Sequence, residues 1–330
     1  MRANVEAMLA HAREYVVSGN LPMVAIAVSK GDGLVCRSAF DGKGNQDDSL
    51  CERQFALASI SKAITGVLAA ILVEQGVLDY DARIVDIIPE FGTNDARKTI
   101  RFSQIFGHST GLPSRFVDGA AEDGYDPQKL LQRMYEEELL DEPGTRCRYS
   151  THTYQLINEA IRRKLGLTME QALQQYVCGP CGLTLTSFYP DPARAMDVVD
   201  HPVPDGPQYE LVQRLEMSGG GLWSSLDDLQ ALGRAWLTDQ LVPARARERA
   251  TALLPGLPYV DNEMVLSRRT LGFCRDQAFA NQPEGAFYHG GATGTLWYMD
   301  PERDLVFVFL TNRWGASNEQ AFATLNMLYG

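Results

Sequence analysis

Ser59 and Lys62 stand three residues apart in Phe55-Ala56-Leu57-Ala58-Ser59-Ile60-Ser61-Lys62. On a helix, that spacing sends both side chains to one face. A serine at a helix N-terminus lies near unpaired backbone N–H groups, and a lysine one turn on can ease removal of its hydroxyl proton. This is the Ser-x-x-Lys arrangement of enzymes that work through an acyl-serine. With 16 Ser and 6 Lys in 330 residues, chance alone supplies about 0.3 such pairs, so the motif needs support from the rest of the chain. The plain alternative is a capping serine beside a solvated lysine.

The elements that must hold this pair can be read outward from it. Ala63, Val67, Ala70 and Ile71 recur at helical spacing, predicting a helix from Ser59 to about Glu74 with one buried face. A helix over residues 1–18 precedes it, then strands at 21–29 and 34–40 joined by the turn Lys30-Gly31-Asp32-Gly33. From Val77 to about Gln208, helical runs alternate with Pro/Gly loops: 81–88, 100–106, 126–138, 153–165 and 168–177, then a proline-rich loop at 188–208. A helix at 226–237 follows. Strands are expected at 271–275, 286–289, 294–299 and 305–311, and a helix at 318–328 closes the chain. The pattern is α+β: a mainly antiparallel sheet flanked by helices, with an all-helical insert. The expected division is 1–76 with 209–330 as a discontinuous α/β domain and 77–208 as the insert.

Composition narrows the function. The net charge is −12, and no Lys/Arg run is present, which argues against nucleic acid or an anionic membrane as partner. No apolar run approaches a membrane span. Residues 1–17 read as an amphipathic helix rather than a secretory signal, so the cytoplasm is the expected location. Six scattered cysteines then read as reduced thiols. Cys178-Gly179-Pro180-Cys181 has a redox-motif form, but a helical run precedes it where a thioredoxin-like site needs a strand. No metal-ligand spacing is present, and no cofactor is expected.

Seven blocks in order resemble one family. They are 21–29 with its hairpin, Phe55–Lys62, Ile105-Phe106-Gly107-His108-Ser109-Thr110-Gly111-Leu112-Pro113, and Pro143-Gly144-Thr145-Arg146-Cys147-Arg148-Tyr149-Ser150-Thr151. Gly179–Leu183, Gly219–Ser225 and His289-Gly290-Gly291-Ala292-Thr293-Gly294 complete the set. Together they resemble the serine β-lactamase/penicillin-binding-protein superfamily in its class C branch. That branch includes family VIII carboxylesterases, D-amino peptidases and the acyltransferase of statin biosynthesis. The resemblance implies a β-lactamase/transpeptidase-like fold, with Ser59 as nucleophile, Lys62 as its activating neighbour and Tyr149 as a proton shuttle. The backbone N–H groups of Ser59 and Ala292 would form the oxyanion hole. Thr151, His289, Gly290 and Gly291 would contact substrate.

Chemically, a tyrosine is a usable base only beside cations, and Lys62 could supply one. Two adjacent glycines would let a substrate lie against the strand. Two departures from the family pattern matter. Thr151 stands in place of an asparagine, and His289 in place of a lysine, so a fixed cation becomes a mostly neutral imidazole. Both favour an esterase, amidase or acyltransferase over a β-lactamase or D-amino peptidase. The expected substrate is a small ester or amide, free or as a carrier-bound acyl donor.

Two rivals stand beside this reading. Gly107-His108-Ser109-Thr110-Gly111 matches the nucleophile elbow of α/β-hydrolases, with Ser109 attacking and His289 in a triad, but the elbow needs a strand before it and a helix after it. The other rival is a catalytically silent binding or sensor module. His108 and Asp79 read as structural, and His152 as the edge of the site. Loops 112–127 and 188–217 are expected to shape the pocket.

Overall fold

A computed structural model describes residues 2–114, 124, 126–201, 207–260 and 268–329. Of the two expected pocket loops, 115–123, 125 and 202–206 therefore lie outside the described residues. Helix α1 (Arg2–Val17) leads into β1 (Val24–Lys30) and β2 (Gly33–Phe40), then the short β3 (Phe55–Ala56) and α2 (Ile60–Glu74). The middle of the chain carries α3 (Phe102–Phe106), α4 (Pro127–Glu136), α5 (Gln155–Leu165), α6 (Met169–Leu173), the single turn α7 (Gly179–Cys181) and α8 (Pro207–Arg214). After β4 (Trp223–Ser224) come α9 (Leu226–Leu237), α10 (Ala244–Thr251), β5 (Phe287–Gly290), β6 (Leu296–Asp300), β7 (Leu305–Leu310) and α11 (Glu319–Asn326).

The main sheet has the order β2-β1-β7-β6-β5, and every neighbouring pair is antiparallel. β1, β7 and β6, its inner strands, are buried almost throughout, because both faces of the sheet are covered. One face packs with α1 and α11 through Met8, Ala12, Ile26, Phe307, Phe309 and Leu325. The other joins a larger core that runs from Ala25 and Leu310 through α2 and α9 to Ile157 and Ala172 of the helical segments. The fold is the β-lactamase/transpeptidase architecture, an antiparallel sheet flanked by helices.

Several local expectations are corrected. Residues 271–275 form no strand: Gly272 adopts φ +112°, and its backbone presses against Gly66 of α2, so the chain bends there and pairs only at Arg269–Cys274 and Cys274–Tyr288. The stretch 81–88 shortens to a single turn at Ile84–Asp86, because Ile84 N–H donates instead to Ile100 O (2.9 Å). The 168–177 helix ends at Leu173 and continues as one widened turn to Cys178. Helix α10, an Ala/Arg/Glu-rich stretch after Pro243, is an addition to the expected elements. Cys178 is buried and Cys181 partly so, on helical turns rather than at a strand end, and burial pushes both thiols up. That removes the thiolate a redox site needs.

Candidate active site

Ser59 sits at the junction of β3 and α2. Segment 55–58 is clamped from both sides: Phe55 and Ala56 pair with Ser224 and Trp223 of β4, and Leu57 N–H donates to Leu222 O (2.9 Å). Thr293 Oγ1 donates to Ala56 O (2.7 Å). Ala58 is forced into the left-handed region at φ +46°, a strained conformation for a residue with a Cβ that surrounding structure must impose. The Ser59 side chain makes no capping hydrogen bond to its helix. It turns instead to Lys62 and Tyr149.

Lys62 is fully buried. Its Nζ lies 3.2 Å from Ser59 Oγ, 3.1 Å from Thr151 Oγ1 and 2.5 Å from Gly219 O. The faces of Tyr149 and Tyr154 flank it, with ring centroids at 4.7 and 5.6 Å. Burial, reinforced by the nearby Arg269 guanidinium, pushes Lys62 well below the ordinary lysine range.

Tyr149 shares a side-chain hydrogen bond with Ser59. Burial pushes its phenol up to about 12, against the opposing pull of Ser59 and Arg269. Cations beside the ring therefore do not make it a phenolate. At neutral pH it holds its proton and is a donor. His108 braces its ring, centroid to centroid at 4.4 Å, and His108 Nδ1 accepts from Ser150 N–H at 3.2 Å. His108 adopts φ +54° and is buried, so its place is structural.

His289 lies next to the end of β5, buried, with Nδ1–H donating to Gly290 O at 2.8 Å. Burial, then the Lys62 and Arg269 charges, push its imidazole down to about 3. It is a neutral group whose Nε2 lone pair is free of that bond. A Cβ on Gly291 would lie 2.3 Å from Leu57 O and 2.2 Å from Thr295 Oγ1. This glycine thus lets the turn after β5 close onto the backbone leading to Ser59, rather than leaving room for substrate. Ala292 is exposed at the same turn, and its N–H and that of Ser59 have no protein acceptor among the described residues.

Thr151, expected to contact substrate, accepts a hydrogen bond from Lys62 Nζ through its hydroxyl. His152 lies behind the site wall, with Nδ1 3.0 Å from Ser150 Oγ and Nε2 3.6 Å from Glu137 Oε2. Ser109 follows α3, a helix rather than a strand, and the chain runs on through Gly111 (φ +81°) without opening a helix. The elbow geometry is absent there.

Two participants escaped the sequence reading. The Gly219 carbonyl is a backbone group in a block valued only for resemblance. Arg269 carries no motif at all. Its guanidinium carbon lies 5.4 Å from the Tyr149 ring centroid and 5.6 Å from that of Tyr259, and it contacts Tyr259 OH and Cys274 Sγ.

Protein Rv1367c of Mycobacterium tuberculosis is 28% identical over 311 residues, covering 78% of this chain and 76% of its own. Esterase EstB of Burkholderia gladioli is 26% identical, covering 91% and 87%. The solved structure of EstCE1, described as a hydrolase with promiscuous acyltransferase activity, superposes with a TM-score of 0.82 at 18% identity, over 100% of this chain and 99% of its own. The beta-lactamase family model matches residues 2–328, and the chain belongs to that family.

Proposed function

We propose that the protein is a serine esterase or acyltransferase that works on a small ester or amide through a covalent acyl-Ser59. The observation that carries this reading is the set of three contacts around Lys62 Nζ. A neutral amine has two N–H donors and one lone pair. Gly219 O can only accept, and Thr151 Oγ1 takes the second N–H. The lone pair is left for the Ser59 hydroxyl proton, which makes Lys62 a general base.

In the proposed cycle, Ser59 Oγ attacks the substrate carbonyl as its proton passes to Lys62. The oxyanion is met by the N–H groups of Ser59 and Ala292. Tyr149 gives its phenol proton to the departing oxygen or nitrogen and regains it from Lys62. Water, or a small alcohol or amine, then attacks the acyl group with the proton steps reversed. EstB and EstCE1, named as an esterase and as a hydrolase with acyltransferase activity, support this class. Five of the six cysteines are buried and all are free thiols, which supports a reducing compartment such as the cytoplasm.

Labelling with a fluorophosphonate and turnover of p-nitrophenyl butyrate test the reading. Both are expected in wild type and Ser59→Ala separates the cases: loss of both supports the proposal. Loss in Ser109→Ala instead, or a silent wild type, overturns it. Rapid opening of a cephalosporin would overturn the preference for esters over β-lactams.

A further inference from the structure

Three segments meet beside the turn that carries Ala292. Residues 194–196 pair with the lead-in to Ser59: Gln54 N–H donates to Arg194 O (3.0 Å), and Met196 N–H to Gln54 O (2.8 Å). The same segment runs on to Val199, which bridges Arg313 of the loop after β7. Trp314 and Gly315 form a turn at the tip of that loop. On one side Trp314 N–H donates to Val199 O (2.8 Å), and on the other Gly315 N–H donates to Ala292 O (2.7 Å). A bridge between Thr293 and Ala316 completes the joint. Trp314 thus stands one residue from a direct bond to Ala292, whose N–H is the proposed oxyanion donor.

An indole is usually well covered, and Trp223, Trp236 and Trp297 are at most 6% exposed, yet Trp314 is 36% exposed. Beside it stands the partly buried His201 ring, with centroids 4.4 Å apart and planes at 69°. Two rings at that angle form a corner. A third flat ring can stack on one and turn its edge to the other, which are the two arrangements that aromatic pairs prefer. The charged residues next in sequence are spent on each other: Arg313 pairs with Asp200 at 3.0 Å and also donates to Gly19 O and Asn20 O. The corner therefore offers ring faces rather than a charge.

We propose that Trp314 and His201 form an aromatic subsite, and that the ester or amide taken by Ser59 carries an aromatic ring seated there. This rests on the acyl-serine reading for the position of the scissile carbonyl, next to Ala292 N–H. Trp314 and His201 position and select the substrate; they take no proton and form no bond with it.

The probe is 4-phenylbutan-2-one, with 4-cyclohexylbutan-2-one as control. Neither ketone can acylate Ser59, and the cyclohexyl compound is the more apolar, so hydrophobic transfer alone favours the control. Titration calorimetry on wild type is expected to show the phenyl ketone binding about threefold to tenfold tighter than the control. Tryptophan emission, dominated in its solvent-exposed part by Trp314, should change saturably over the same concentrations. Trp314→Leu should erase the preference and Trp314→Phe should keep most of it, with thermal melting used to show that both variants fold. The phenyl ketone should also inhibit turnover of p-nitrophenyl butyrate competitively. Equal affinity for the two ketones, a preference unchanged in Trp314→Leu, or non-competitive inhibition would each overturn the proposal. Binding is read without turnover, so the two readings fail separately. A protein inert toward esters that still prefers the phenyl ketone through Trp314 would fault the acyl-serine reading and uphold the subsite. An active enzyme without that preference would fault the subsite alone.

Discussion

The Arg269 guanidinium stands beside the Tyr149 ring, 5.4 Å from its centroid, and no carboxylate pairs with it among the described residues. Family resemblance places a cation at position 289, where this chain has a neutral histidine. The positive charge at this site instead comes from a different segment. Its field adds to burial in lowering both Lys62 and His289. A neutral Lys62 is what the proposed base requires.

The first prediction follows from that field. Activity on p-nitrophenyl butyrate should rise with pH as Lys62 loses its proton, along a limb well below the ordinary lysine range. Arg269→Met removes a neighbouring positive charge and lets the Lys62 pKa climb, so the limb should move to higher pH. A kcat/KM profile of both proteins checks this. An unmoved limb would mean that Arg269 does not act on the base.

Tyr149 retains its proton up to about pH 12, so its proposed work is to protonate the leaving group. Tyr149→Phe should slow an alkyl ester, whose leaving alkoxide needs that proton, by about 10²–10⁴-fold. A p-nitrophenyl ester leaves unaided and should suffer much less. Comparing the two substrates in wild type and variant measures the difference; equal losses would assign Tyr149 a packing role.

His289 makes acid stability the next test. Its folded pKa of about 3 lies below the ordinary 6.5, so below pH 6.5 the unfolded chain binds a proton that the folded chain does not. Stability from this group is complete above 6.5 and declines as pH falls toward 3, by about 1.4 kcal/mol per pH unit at most. His289→Asn should flatten this part of the urea-unfolding profile between pH 6 and 4. Buried His108, lowered in the same direction, will leave a residual slope.

Gly291→Ala tests the joint between β5 and the Ser59 segment. The new methyl group would meet Leu57 O, a backbone atom that cannot swing aside. A loss of about 1–3 kcal/mol in stability is expected from overpacking, together with a drop in kcat as Ser59 is displaced. Retained stability and rate would show that the turn yields freely.

Much of this protein was legible in its linear order because the signals were local. The turn at Gly31–Gly33, the apolar runs of β1 and β7, and the period of α2 and α9 each arise from neighbouring residues. Ser59 and Lys62 meet across one helical turn, so their spacing alone brings them together. Tyr149 and His289 could be nominated only through the motifs around them.

Tertiary structure decided the chemistry that depends on distant segments. The bend at Gly272 arises because its backbone meets Gly66, and no window of sequence contains both. Thr151 Oγ1 and Gly219 O both accept from the Lys62 amine, though the three residues lie far apart in the chain. In the proposed cycle the direction of proton transfer rests on burial: desolvation lowers Lys62 and raises Tyr149, which is why the proposal takes the lysine as base and the tyrosine as acid. Sequence identifies ionisable groups and their ordinary pKa values. Only the fold determines how much water each one loses and which charges replace it.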